Sequence, residues 1–351
     1  MIGAKVKART AFIQPGLVFW TPWRNQRGMA LLITLMVLSL LVVVTIGYHK
    51  TTWRKYVASY NHKVATQLRM IAGSAVQLGI ALLQYDGSVN TTASFFSPWA
   101  IIKEEDFQDL FPTETLHLEV IDLSGRLQIN SLVRKKSQEG RSTAKEARAI
   151  LSRLLLTGVF AIKNESQVQE LVDSMVDWLD EDDRESDHGA ENSYYRSLDP
   201  PYGCKNGPVE YIEELLLVKG MTPELLFGTA TTKGLAEYLT VYGDNGKINI
   251  NTAPRLLLRS LDPLMNDELT DRLDAYRRDA HNAPQLGVPA WYKKIGGWPG
   301  DIVLYENLLT TESAYFQING AGRYEKLEKR MTAVVERVGR GQVKLLWRKV
   351  E

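Results

Sequence analysis

Asp177, Asp180, Glu181, Asp182, Asp183, Glu185, Asp187 and Glu191 crowd one short stretch, Asp177–Tyr195 (DWLDEDDRESDHGAENSYY), with Arg184 as the only fixed positive charge among them. Carboxylates at this density repel unless something neutralises them. Hard oxygen donors on a flexible loop suit Ca²⁺, which takes about six to eight oxygens, better than Zn²⁺ or the strict octahedron of Mg²⁺. The expected Ca²⁺ ligands are Asp180, Asp182, Asp183, Asp187 and Glu191, with Asp177 a helix residue supporting them from behind. The spacing does not match an EF-hand, which requires D-x-[DN]-x-[DN]-G before a Glu. A solvated acidic surface is the competing reading, since charge runs are commonly just that. Trp178, Tyr194, Tyr195 and Tyr202 weigh against it, because aromatics at this density pack on a core. His188 is either a further ligand or a surface histidine.

No arrangement for catalysis emerges. His49, His62, His117, His188 and His281 are dispersed, with no Ser or Cys placed by sequence to act with them, and no Gly-rich phosphate loop occurs. Cys204 is the only cysteine, so an intrachain disulfide and a Cys-based zinc site are excluded, and the residue reads as a packed thiol. The chain is therefore expected not to be an enzyme.

A second informative place is the junction Arg27-Gly28-Met29, which opens an uncharged run from Met29 to Tyr48. Twenty residues at about 1.5 Å each reach roughly 30 Å, the thickness of a bilayer's hydrocarbon core. A secretory signal would have a shorter apolar region followed by a small-x-small site, which is lacking here. The leader before it carries Lys5, Lys7, Arg9, Arg24 and Arg27 and no acid, which favours a cytoplasmic N-terminus; Lys50, Arg54 and Lys55 on the other flank weaken that bias.

Charge divides the chain as well. The first acidic residue is Asp86, and ten of the 42 basic residues precede it, leaving 32 basic against 41 acidic in the remainder. An acidic body gains nothing from phosphate. This bears on Asn251–Arg278, where Asn251 or Thr252 could cap a helix whose first turn accepts Pro254, a pattern shared with helix-hairpin-helix modules that bind nucleic acid backbones. Asp262, Asp267, Glu268, Asp271 and Asp274 flank that module and oppose phosphate contact, so no nucleic acid partner is expected.

The elements that must position these groups follow from periodicity. Val57, Tyr60, Val64, Leu68, Ile71, Ala75, Leu78 and Leu82 recur every three or four residues without an intervening Pro, so one helix can run from Met29 to about Tyr85, with a break at Gly47 or Gly73 as the alternative. His117–Asn130 and Leu239–Asn251 each read as two strands around a turn, and both end in a matching pattern, Gly125–Ser131 and Gly246–Thr252. Ala314–Asn319, Met331–Val338 and Gln342–Val350 add strands, while Thr143–Leu156, Gln167–Leu179, Tyr211–Val218 and Pro254–Arg278 read as inserted helices.

The segments Gln26–Leu32, Asp177–Asp180 with its acidic loop, Gly189–Glu191, Tyr194-Tyr195, Glu213–Leu215, Val218–Thr222 and Ile248–Pro254, in this order, resemble the minor pseudopilin K family of bacterial type II secretion, the general secretion pathway protein K family. The resemblance reaches from the leader to about Arg278. It implies an α+β pseudopilin fold, a long N-terminal helix packed on a small antiparallel sheet, with a large inserted α-helical domain. The implied division is a cleaved cytoplasmic prepilin leader (1–28), transmembrane (29–48) and periplasmic (49–85) halves of the helix, a first part of the sheet domain (86–142), an inserted helical domain with the acidic loop (143–237), a strand pair with a second helical module (238–313) and C-terminal strands (314–351).

The same resemblance places the chain in the inner membrane with its body in the periplasm. It implies that prepilin peptidase cuts between Gly28 and Met29 and that Met29 is N-methylated. Its implied partners are minor pseudopilins of the I, J and H types, the major pseudopilin and the inner-membrane assembly platform. Pilin-like proteins usually place at the fifth mature position a glutamate that pairs with a neighbour's N-terminal amine; counted from Met29, that position is Ile33. An unpaired carboxylate in an apolar fibre core is costly, so a subunit with nothing above it has no use for one. The expected function is to cap and help initiate a short periplasmic fibre, at its tip, for export of folded proteins. The alternative is a membrane-anchored nucleic-acid receptor of the competence type using Asn251–Arg278.

Overall fold

The computed structural model describes residues 26–110, 113–133 and 138–351, so the expected leader lies outside the described residues up to position 25. Contacts divide the chain at His62/Lys63 into two units. Helix α1 (Gln26–Val89) is one uninterrupted helix that passes through both Gly47 and Gly73. No Pro interrupts it, and a lone helical Gly costs only about 1 kcal/mol against Ala. In the first unit its apolar residues lie open along their whole length, and by length and composition this stretch can cross a bilayer.

In the second unit α1 buries Val64, Leu68, Ile71, Ala72, Ala75, Val76 and Leu83. The strands are β1 (Thr115–Asp122), β2 (Leu127–Gln128), β3 (Leu239–Thr240), β4 (Ile248–Asn249), β5 (Leu309–Thr310), β6 (Tyr315–Tyr324), β7 (Leu327–Gly339) and β8 (Gln342–Val350). An antiparallel sheet of order β1-β6-β7-β8 receives the helix, and its Leu116, Leu118, Phe316, Ile318, Met331, Ala333 and Val335 complete that core. Gly320 and Gly322 let the two backbones touch: a Cβ on either would come within 2.5 Å of the carbonyl oxygen of Ala72 or Leu68. Farther along α1, Gly79 packs on Ile318 and Gly87 on Arg337, whose guanidinium donates to the buried Asp86 carboxylate at 2.8 Å. The helix thus runs along β6 from Gly322 towards Phe316.

The insertion leaves from that same end. Asp122 stands opposite Phe316 in the β1–β6 register, and everything between Leu123 and Ala314 departs and returns there, away from Lys63. Besides α2 (Pro98–Ile101), the helices are α3 (Gln138–Leu155), α4 (Glu165–Leu179), α5 (Asn192–Tyr195), α6 (Pro223–Phe227), α7 (Arg255–Arg259) and α8 (Asp267–Arg278). One apolar core runs through Leu127, Leu151, Met175, Leu226, Leu258, Trp291 and Leu309. The segments expected as separate at 143–237 and 238–313 therefore share a core, and Leu127 to Leu132 belong to it rather than to the sheet.

Both expected hairpins are replaced by other pairings. The Ser124-Gly125 turn is a single 3-10 turn capped by Asp122, whose carboxylate accepts from Ser124 N at 2.8 Å. Past it, β2 pairs in parallel with β3, and β4 pairs in parallel with β5. Side-chain amides explain the choice: Gln128 donates to Lys247 O and Asn245 Oδ1, while Asn130 donates to Val209 O and Val241 O and accepts from Val209 N. The expected cap of the helix after Ala253 also fails, because Pro254 occupies the N-cap position and Thr252 turns its hydroxyl to Asp122 instead.

Candidate functional site

Asp177 organises the acidic loop from the last turns of α4. That helix forms because Asn164 caps its start and Val168, Leu171, Val172, Met175 and Val176 fill its inner face. The Asp177 carboxylate is fully buried and accepts from Ser186 Oγ at 2.6 Å, from Ser186 N at 3.1 Å and from Ala190 N at 2.9 Å, so both ends of the loop close on it. A Cβ on Gly189 would lie 1.8 Å from its Oδ2, which is why glycine occupies that position. Burial pushes the Asp177 carboxyl up despite these donors. On the far side Trp178 packs edge-on to Tyr195 and Tyr202, so the loop rests on the aromatic core that its composition suggested.

Glu191 is the most committed member. It is 2% exposed, caps α5 by accepting from Asn192 N at 3.2 Å, and leaves its Oε1 buried without a donor. Burial, with Asp177, Asp180 and Asp183 nearby, pushes its carboxyl up to about 7. Asp180, at the C-cap of α4, is pushed up to about 6 by burial and by Asp182 and Asp177. Asp183 accepts from Asn192 Nδ2 at 2.7 Å and Asn206 Nδ2 at 3.0 Å, which holds its carboxyl below the usual range. Asn206 Oδ1 is a second buried oxygen without a donor.

The structure thus brings Asp180, Asp183 and Glu191 into one electrostatic group around Asp177, with Asn206 added to it. Asp182 is exposed and accepts from Arg184 N, and Asp187 is exposed on the loop. His188 pairs with Asp173 at 3.4 Å, outside the group. Among the described residues no three Asp, Glu, His or Cys side chains close on one point. A polar cavity of about 530 Å³, lined by Asn130, Arg148, Asp180, Asp182, Ser186 and Asn206, opens beside the group. Asn192 and Asn206 were not expected from the charge pattern; the Asn206-Gly207 dipeptide is the turn signal that could have found the second, and Asn206 does take a positive φ. Cys204 packs at the same place, its thiol pushed up to about 12 by burial, as suits an inert side chain.

The module at Asn251–Arg278 turns its polar groups inward. Asn251 donates to Ala93 O and Leu286 O and accepts from Trp291 Nε1, while Asn249, Thr252 and Ser313 all donate to the buried Asp122. Its arginines are engaged: Arg255 with Asp267 and Asp271, Arg259 with Asp267, Arg278 and buried Arg277 with Asp274, and Arg272 with the Gly296 carbonyl. Phosphate recognition needs free cations, so this geometry gives the nucleic-acid reading no support. At the other end of the chain, Met29 and Ile33 lie exposed on α1, and a Cβ on Gly28 would meet nothing within 4 Å, so packing does not require glycine there.

Residues 125–243 match the family model described as type II secretion system (T2SS), protein K. Type II secretion system protein K of Pseudomonas aeruginosa is 26% identical over 73% of this chain and 74% of its own length. That of Aeromonas hydrophila is 27% identical over 84% of this chain and 88% of its own. The fold is similar to that in the crystal structure of the GspK-GspI-GspJ complex from the enterotoxigenic Escherichia coli type 2 secretion system, with a TM-score of 0.60 and 18% identity, covering 84% of this chain and 99% of that one.

Proposed function

We propose, from the premise that the chain belongs to the type II secretion system protein K family and serves type II protein secretion as a minor pseudopilin, that it caps the pseudopilus and helps to initiate it. The observation that carries this reading is the position of the insertion. It leaves the sheet where α1 ends, at the Asp122–Phe316 edge, so its bulk extends past the end at which another subunit would stack. Ile33 supports the same reading, since a subunit with none above it has no amine to pair with a glutamate.

In this reading the apolar half of α1 stores the subunit in the inner membrane with the body in the periplasm. Prepilin peptidase removes the leader between Gly28 and Met29 and Met29 is N-methylated, which gives Gly28 a purpose that packing does not. Minor pseudopilins of the I and J types, named in the solved complex of similar fold, are the first partners; the H type, the major pseudopilin and the assembly platform follow. The chain acts by assembly and catalyses no reaction. Ca²⁺ is the ion that suits the acidic loop. Glu191 Oε1 and Asn206 Oδ1 are buried acceptors without donors, and with Asp180 and Asp183 they would hold the ion, while Asp182 lines the cavity beside them and Asp187 stays exposed on the loop. Bound there, it would neutralise the carboxylates that burial now disfavours.

The test is co-expression of the full-length chain with I- and J-type pseudopilins, followed by intact mass of the isolated complex and single-site crosslinking along assembled fibres. Recovery of a complex with Met29 N-methylated and crosslinks at one fibre end is the expected result. Crosslinks repeated along the shaft would contradict the cap.

A further inference from the structure

Where the apolar run of α1 ends, the exposed surface changes character over little more than three turns. Tyr48, Trp53, Tyr56 and Tyr60 are all large and exposed, and Trp53 stacks on Tyr56 with ring centroids 5.8 Å apart. Interleaved with them are Lys50, Arg54 and Lys55, and no acidic residue occurs in the chain before Asp86. The helix thus carries a collar of aromatics and uncompensated positive charge at the height where a span starting at Met29 leaves the hydrocarbon.

The spacing builds a site on one face. Lys50, Trp53 and Arg54 stand at i, i+3 and i+4, so two cations flank an indole. Helical side chains lean towards the N-terminus, which lays Trp53 back over the turn below it. There a shallow groove of about 610 Å³ is lined by Thr45, Ile46, His49, Lys50 and Trp53. Thr45 turns its own hydroxyl to Leu41 O, leaving the lower wall apolar. The groove is therefore apolar below and cationic above, as is a phospholipid in reverse sign at its head.

We infer that Thr45–Arg54 is a binding site for an anionic phospholipid of the leaflet on the C-terminal side of the span, its phosphate between Lys50 and Arg54 and its glycerol and upper acyl chain against Trp53 and Ile46. Charge complementarity selects this occupant. The inference rests on the reading of residues 29–48 as a membrane span. Such a site fixes the depth of the stored subunit and resists its withdrawal until the fibre offers other contacts.

The experiment uses the full-length chain in nanodiscs of phosphatidylglycerol and phosphatidylcholine in equal amounts, with the lipids retained on the released protein counted by native mass spectrometry. A cation close to an anionic surface contributes about 1 kcal/mol, so two contribute roughly a 30-fold preference for the charged lipid at low salt. The wild type is expected to retain phosphatidylglycerol, the Lys50→Gln/Arg54→Gln double variant to retain the two lipids equally, and Trp53→Leu to hold fewer lipids with the charge preference intact. Equal retention by the wild type, or a preference unchanged in the double variant, overturns the site while leaving the span intact. Failure of the wild type to enter nanodiscs overturns the span and the site together. Retention of an acidic partner helix at this face in place of lipid also overturns it.

Discussion

Calcium should stabilise the protein at pH 8 and lose that effect near pH 5.5. Without the ion, the Glu191 carboxyl stands at about 7 and Asp180 at about 6, both above their unfolded values. A raised folded pKa means that the folded state holds protons the unfolded state releases, so the stability these groups contribute is full below their unfolded values and is lost as pH rises through about 6 and 7. Glu191 is nearly inaccessible, and a shift of its size corresponds to at most about 3.5 kcal/mol, at roughly 1.4 kcal/mol per unit. The metal-free protein should therefore melt at a lower temperature at pH 8 than at pH 5.5. Ca²⁺ at about one hundred times its dissociation constant returns about 2.7 kcal/mol by linkage. For a body as large as Lys63–Glu351 that is a rise of roughly 4–5 °C in Tm. At pH 5.5 the ion must displace protons from the same oxygens, and the rise should shrink to a small fraction. Calorimetry of the full-length protein in detergent, in EGTA and in millimolar Ca²⁺ at both pH values, reads this directly. Coincident melts at pH 8, or an equal rise at both pH values, would refute the reasoning.

Three further substitutions probe separate parts of the argument. Gly189→Ala places a methyl on the Asp177 carboxylate and should abolish the Ca²⁺-dependent rise in Tm and lower the metal-free Tm, measured in the same calorimeter. Asp86→Ala leaves the Arg337 guanidinium buried and unpaired, a change that typically costs about 3–5 kcal/mol, and should show as a lowered midpoint in urea with secretion reduced accordingly. Ile33→Glu adds a carboxylate to the membrane half of α1 at about 2.5–3.5 kcal/mol on insertion scales, so fibre assembly scored by crosslinking should stay level or fall, and a clear gain would contradict the tip position.

The long helix, the three C-terminal strands and the helices α3, α4 and α8 were legible because each carries its own period. The pairing of the middle strands was not. Leu127-Gln128 and Ile248-Asn249 are too short for alternation to speak, and their partners are chosen by Gln128, Asn130 and Asn249, whose amides reach across more than a hundred residues or bind buried backbone. Turn signals are local, so Ser124-Gly125 suggested a hairpin, whereas Asp122 uses that turn to fasten Thr252, Asn249 and Ser313. In the acidic loop the carboxylates were visible from charge alone. The division between those that turn inward and those that stay in water was not, since it depends on Gly189 pressing against Asp177 and on the amides of Asn192, beside Glu191, and Asn206, beyond the acidic run.

The same arrangement explains why so unfavourable a loop is tolerated beside the insertion's core. Asp177 ties Ser186 and Ala190 to α4, and Cys204 N donates to the Asn192 side chain, so the loop and the strand of chain after it close on one another. With the carboxyls ionised this closure sets Glu191, Asp180 and Asp177 against each other. The cation proposed between Glu191 and Asn206 would instead join the two halves.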